Sequence, residues 1–245
     1  MKKSILPAMW DVPQIFRDRL GNTVGRQRAM LADEHLLLVL HAVPKADQAH
    51  REGCFYWRQP DGSWSSTESG NGLASLERHL ENFREAVEQL EEKEINAKSS
   101  QEYFTLLETL APIHRSACNL LQVLQEARKM VPDDRRLINL RDQAYDLQRN
   151  AELLYQGLQN AMTYAVARRA EEQAIASEKM SRAAHKLNML AAFFFPLVTL
   201  SAIFGTNLVH GMESAKFWPW PFVGLIAVGL TWGVVLRSWI TRDAR

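Results

Sequence analysis

LNMLAAFFFPLVTLSAIFGTNL, residues 187–208, holds no charged side chain. At 1.5 Å per residue a helix of this length reaches roughly 33 Å, enough to cross the hydrocarbon core of a bilayer. A second uncharged run, FWPWPFVGLIAVGLTWGVVL, occupies residues 217–236. Trp218, Trp220, Trp232 and Trp239 lie towards its ends, where amphipathic rings favour the headgroup zone, and Pro219 and Pro221 fall in its first turn, where a missing N–H costs little. Buried helices of water-soluble domains seldom run this long without charge, so the pattern predicts two transmembrane helices.

The flanks predict their orientation. Arg168, Arg169, Lys179, Arg182 and Lys186 precede the first run, and Arg237, Arg242 and Arg245 follow the second, whereas the connecting loop has only Lys216. Basic residues stay on the cytoplasmic side. Both termini are therefore expected in the cytoplasm of a multi-pass protein of the cell (inner) membrane. The loop, residues 209–216, is expected outside, with Glu213 as its single acid.

The first run closes on Phe204-Gly205-Thr206-Asn207, after a proline near its middle, Pro196. This resembles the pore helix of the CorA-type divalent metal-ion transporters, whose signature is aromatic-Gly-Met-Asn. The aromatic, the glycine and the asparagine are kept, and threonine replaces methionine. The short loop, the Trp-Pro entry to a last apolar run and the basic C-terminus extend the likeness, which is clearest over residues 130–245. The resemblance implies a homopentamer with a ring of Asn207 side chains at the outer mouth, where Gly205, Thr206 and Asn207 select the ion and Asn207 meets the metal. It implies Mg²⁺ as the leading ion, with Co²⁺, Ni²⁺ and Zn²⁺ as alternatives, transported rather than tightly bound. Taken alone, without the resemblance, Gly205 and Asn207 read first as a helix C-cap.

Steps of about 3.6 from Asn207 put Ile203, Leu200 or Thr199, Phe195 or Pro196, Ala192 and Asn188 on one face. The expected lumen, Asn188, Ala192, Phe195, Thr199 and Ile203, is mostly apolar. Thr199 is its only hydroxyl. The family commonly has threonine two residues after the proline, where this chain has Val198.

Upstream, the chain reads as the cytoplasmic part of an α+β membrane protein. Residues 12–20 predict a short helix ended by Gly21. Residues 26–31 and 35–43 predict strands about an Ala32-Asp33-Glu34 connection, the second rich enough in Leu and Val to be covered on both faces. Residues 54–58 and 63–66 flank Gln59-Pro60-Asp61-Gly62, a strong turn signal. Leu73, Leu76, Leu80, Phe83, Val87 and Leu90 then step by threes and fours in a helix to about Ala97. Ser99-Ser100-Gln101-Glu102 caps a second helix, to about Met130, with a kink possible at Pro112. From Leu137 the seam Leu140, Ala144, Leu147, Ala151, Leu154, Leu158, Ala161 and Ala165 predicts one helix from about Asp133 through residue 208. The organisation expected is a small α/β layer at 1–72, a helical hairpin at 73–132, a stalk at 133–186, helices at 187–208 and 217–236 joined by the loop, and a tail at 237–245.

Several chemistries are disfavoured. Net charge is +1, so no global field points to nucleic acid. There is no G-x-S-x-G, H-E-x-x-H or P-loop, so no enzyme is indicated. Cys54 and Cys118 form no C-x-x-C and read as buried apolar residues in a reducing compartment. His35, His41 and His50 match no zinc spacing. Arg26, Arg28 and Arg51 read as a solvated face or ion-pair partners. Asp142, Asp146, Glu171, Glu172 and Glu178 on the long helix read first as solvation, though carboxylates there could hold ions between copies. The sequence thus predicts a self-associating divalent-cation transporter in contact with membrane lipids. Proton-coupled zinc transport on the same fold, or a membrane-anchored coiled-coil scaffold, is the alternative.

Overall fold

Asp33 and Glu34 hold φ of 47° and 62°. Two successive left-handed residues make the tight turn whose twist matches a right-handed hairpin, and Asp tolerates that region better than most residues. Ala32 therefore pairs with His35 rather than joining the turn, which fixes the register of β1 (Arg28–Ala32) on β2 (His35–His41). β3 (Gly53–Arg58) and β4 (Trp64–Ser66) complete a four-stranded sheet in the order β1-β2-β3-β4. Every neighbouring pair is antiparallel, so the layer expected as α/β is α+β. The Gln59-Pro60-Asp61-Gly62 turn joins the last two strands, with Gly62 at φ 83° and its N–H donating to the Gln59 carbonyl at 3.0 Å.

The computed structural model describes residues 5–45, 51–68, 71–205 and 219–242. It falls into two compact units, Met1–Ala167 and Arg168–Arg245. In the first, the sheet is covered on both faces, as the Leu/Val run of β2 requires. Leu37, Val39, Met30, Phe55 and Trp57 pack under Leu6, Trp10, Val12 and Phe16, the last from α1 (Gln14–Arg19). Leu36, Leu38, Leu40, Cys54 and Tyr56 face α2 (Gly72–Asn96) and α3 (Ser100–Met130). Strand alternation sorts the two sets.

Local signals place the helices. Asn71 accepts from the Leu73 N–H at 3.1 Å to start α2. Gly72 lies so close to the backbone of Trp64 and Ser65 that a Cβ would collide with it, so the helix begins directly against β4. Ser99 and Glu102 form a reciprocal capping box on α3. Pro112 is accommodated inside that helix, which runs on to Met130. α4 (Arg135–Gly205) starts at Asp134, whose Oδ1 accepts from the Arg136 N–H at 3.1 Å. Its seam, Leu137, Leu140, Ala144, Leu147, Ala151, Leu154 and Leu158, is buried in the same core as α2 and α3. Burial fades after Leu158, and Ala161 and Ala165 are only half-buried. Truncating any one of the buried leucines to alanine should cost about 2–5 kcal/mol.

The second unit holds the rest of α4 and α5 (Pro219–Arg242). Residues 187–205 of the first expected span and 219–236 of the second are helical; the remaining parts lie outside the described residues. Among the described residues, no helix is long and apolar enough to cross a membrane.

Candidate ion-conduction site

Gly229 and Gly233, one turn apart on α5, face Leu197 and Phe193, one turn apart on α4. A Cβ at Gly233 would come within 2.6 Å of Phe193 Cδ2, and one at Gly229 within 3.4 Å of Leu197 Cγ. Small residues at i and i+4 give larger partner side chains a groove to enter, the packing that suits helices which gain little from the hydrophobic effect between them. Met189, Ala192, Phe193, Pro196 and Leu197 are half-buried on this side of α4.

The opposite side is bare. Leu187, Ala191, Phe195, Val198 and Ala202 are exposed, as are Asn188 and Thr199 at its margin. Phe195 is 73% exposed, more than any other large apolar residue described between Leu187 and Ala202. Of the residues expected along the lumen, Asn188, Phe195 and Thr199 thus lie away from α5, whereas Ala192 lies on the half-buried side. Ile203 and Gly205 are in the last turn of α4, while Thr206, Asn207 and Glu213 lie outside the described residues. Leu187, Ala191, Val198 and Ala202 lie on the same free edge, which an ideal period stepped from Asn207 does not separate from the α5-facing edge. The Gly229-x-x-x-Gly233 spacing on α5 is the sequence signal for a closely packed neighbour there.

Thr199 carries a specific feature. Its hydroxyl donates to the Phe195 carbonyl at 2.8 Å. With its proton committed to the helix, the oxygen offers lone pairs outward, which suits the water shell of a cation.

In the first unit, His35 and His41 are occupied structurally. Trp57 Nε1 donates to His35 Nδ1 at 3.1 Å, and His41 Nε2 lies 2.8 Å from the Gly25 carbonyl. His50 lies outside the described residues. Arg26 and Arg51 are exposed and Arg28 is half-buried, and the three line a cleft of about 350 Å³ together with His41 and Glu126. Cys118 is half-buried, with Sγ 3.6 Å from His114 Nε2. Asp142 sits beside Arg141 at 2.6 Å and Glu172 pairs with Arg168 at 3.0 Å, both on exposed surface.

The description CorA-like Mg²⁺ transporter protein matches the chain over residues 70–242, from the start of α2 to the end of α5. The chain belongs to the CorA-like Mg²⁺ transporter family. No curated protein matches it. Among solved structures it is similar to the full-length CmaX protein, at 16% identity and a TM-score of 0.52, covering 92% of this chain and 81% of that one. It is also similar to the ZntB cytoplasmic domain from Vibrio parahaemolyticus RIMD 2210633, at 14% identity and a TM-score of 0.50, over 66% and 80% of the two chains. The CorA magnesium transporter from Methanocaldococcus jannaschii aligns at 14% identity and a TM-score of 0.44, over 87% and 80%. At such identities the likeness is one of fold. The family membership carries the coarse assignment, a divalent-cation transporter fold, and the sheet with its long helix is the architecture of that fold here.

Proposed function

We propose that the chain is the protomer of a homopentameric Mg²⁺ channel in the cell inner membrane. α4 and α5 cross the bilayer with both termini cytoplasmic, and Asn207 forms a ring at the outer mouth. The observation that supports this reading is the family match over residues 70–242 together with the unbroken course of α4 to Gly205, the first residue of the Gly205-Thr206-Asn207 signature.

The chemistry follows from the ion. Mg²⁺ dehydrates reluctantly and wants octahedral oxygen, so clustered carboxylates would trap it. A ring of neutral amide oxygens accepts hydrogen bonds from its waters without holding it. Below the ring, the free face of α4 with Leu187, Ala191, Phe195, Val198 and Ala202 supports an apolar lumen that closes by dewetting. Thr199, with its hydroxyl proton committed to Phe195, supplies an oxygen beside it.

The end of the seam at Leu158 supports self-association. Tyr164, Val166, Ile175 and Met180 on α4 are exposed beyond it, and large exposed apolar surface marks contact with other copies or with lipid. A second reading, zinc movement coupled to protons, is favoured by Thr206 standing where the family signature has methionine.

Flux into liposomes loaded with an ion-sensitive dye tests both readings. Wild-type protein should pass Mg²⁺, and Asn207→Ala should nearly abolish flux while leaving the oligomer intact. Flux of Zn²⁺ alone, rising with an imposed proton gradient, would favour the second reading. No flux of Mg²⁺, Co²⁺, Ni²⁺ or Zn²⁺ would reduce the protein to a scaffold.

A further inference from the structure

Cys54 on β3, Glu68 just after β4 and His79 on α2 are brought together beneath the sheet, on its helix-covered face. Their ligand atoms all lie within 4.8 Å of one another. Cys54 Sγ donates to Glu68 Oε1 at 3.2 Å, and the Tyr56 hydroxyl donates to the other carboxylate oxygen, Oε2, at 3.0 Å. His79 is 2% exposed, and its Nε2 is buried without a hydrogen-bond partner. An orphaned polar atom at such depth costs about 1–3 kcal/mol, a cost that a ligand at this nitrogen would offset.

The position of Glu68 is built rather than incidental. Thr67 continues the pairing on β3 past the end of β4, its N–H donating to the Phe55 carbonyl and its hydroxyl accepting from the Phe55 N–H, both at 3.0 Å. The next residue is thereby turned in towards Cys54 and Tyr56. The Ser66 hydroxyl holds the Glu68 carbonyl at 2.7 Å. His79 is fixed between Tyr56 and Phe83, with ring centroids 5.7 Å and 5.3 Å away.

We propose that Cys54, Glu68 and His79 form a binding site for Zn²⁺ that ties the sheet to α2. One thiolate, one carboxylate and one imidazole are three ligands of the kind zinc takes, and a water completes a tetrahedron. Donors around tetrahedral zinc stand roughly 3.3–3.7 Å apart, so small rotations of the half-buried Glu68 close the site. Sulfur and imidazole suit Zn²⁺ and reject Mg²⁺, which demands oxygen.

The charges balance as well. Zn²⁺ forms its bond to Sγ as the Cys54 thiol proton, now shared with Oε1, passes to solvent. The thiolate and the carboxylate then neutralise the dication, so no net charge is left buried. Tyr56, still donating to Oε2, orients the carboxylate as an outer partner. In the absence of metal, burial holds the His79 ring neutral, at about 4. The site lies wholly in the first unit and does not rest on the transport reading.

Co²⁺ is the probe, added to metal-stripped full-length protein in mild detergent. The expected result is a thiolate-to-cobalt charge-transfer band with tetrahedral d–d bands at one equivalent per chain, bleached by Zn²⁺ and not by excess Mg²⁺. The bands should be lost in Cys54→Ser, which keeps a donor to Glu68, and in His79→Gln, with helical circular dichroism unchanged. Cys118→Ser should leave them intact, which excludes the Cys118 and His114 pair. Should Cys54→Ser lose the fold, Glu68→Gln decides, since it keeps the acceptor for Tyr56. Bands absent from the wild type, bands that follow Cys118 rather than Cys54, or a Glu68→Gln protein that binds Co²⁺ as tightly as wild type would each overturn the site.

Discussion

Arg58 at the end of β3 donates from Nε to Asp134 Oδ2 at 2.8 Å, and the same aspartate caps α4 by accepting from the Arg136 N–H. The Asp134 side chain is 3% exposed and that of Arg58 14%. Arg136 closes the arrangement, bonding Asp134 from Nε at 3.0 Å and the Gly62 carbonyl of the β3–β4 turn from a terminal guanidinium nitrogen at 2.9 Å. One carboxylate thus fastens the sheet to the first turn of the helix that runs to Gly205.

Loss of Asp134 should be costly because it removes a cap and strands a buried guanidinium. Asp134→Ala is expected to destabilise by about 3 kcal/mol or more. Asp134→Asn, which keeps an oxygen for the cap, should cost less. Thermal unfolding of the detergent-solubilised variants measures the difference, and equal losses would show that the cap contributes nothing.

The same carboxylate gives a pH dependence. Burial would raise it, but hydrogen bonds from Arg136 and Arg58 outweigh burial and hold it down at about 2. A pKa lowered by folding gives stability that is fully present above the unfolded value of about 4 and lost as pH falls towards 2. The contribution is about 2 kcal/mol. Acid titration of stability should show this loss between about pH 4 and 2, and it should be absent from Asp134→Asn.

The glycines of α5 should differ in tolerance. Alanine at Gly233 meets Phe193, at Gly229 it makes tight contact with Leu197, and at Gly224 nothing lies within 4 Å. Gly233→Ala is therefore expected to be the most damaging of the three, by about 1–3 kcal/mol, and Gly224→Ala nearly silent. Ranking the three by thermal stability and cation flux checks this, and a silent Gly233→Leu would contradict the packing.

Phe195 and Thr199 should separate gate from ligand. Phe195→Ala is expected to raise basal Mg²⁺ leak severalfold by widening an apolar constriction. Thr199→Ser keeps the hydroxyl and should conduct as wild type, whereas Thr199→Val should slow flux. Single-turnover dye assays in liposomes read both, and equal flux in Ser and Val variants would remove Thr199 from the path.

Topology and assembly follow from charge and from the exposed part of α4. Cysteine placed at Ser214 should react with an impermeant thiol reagent added outside intact cells, and cysteine at Ala244 should not. Mass measurement in mild detergent should give five copies; a stable monomer would remove the pore.

The sequence by itself determined whatever is local or periodic. The Leu73 to Leu90 spacing gave α2, Ser99 and Glu102 gave the capping box, and the seam from Leu137 gave α4, since each signal lies within a few turns of the element it specifies. The Phe204-Gly205-Thr206-Asn207 signature pointed to the family for the same reason, being four consecutive residues. The connection reads from sequence as Ala32-Asp33-Glu34, one residue longer than the two-residue turn at Asp33 and Glu34, because neither is glycine and the left-handed conformation leaves no strong mark in that pair. What only the tertiary structure decided are relations between distant positions. Cys54, Glu68 and His79 fit no ligand spacing, being set by strand pairing past β4 and by the seating of α2 on the sheet. Arg58 and Asp134 meet because the β3–β4 turn folds back onto the cap of α4. The free face of the α4 segment beyond Arg168 was likewise settled by Gly229 and Gly233, since periodicity tells which residues share a face but only a packed neighbour tells which face is covered.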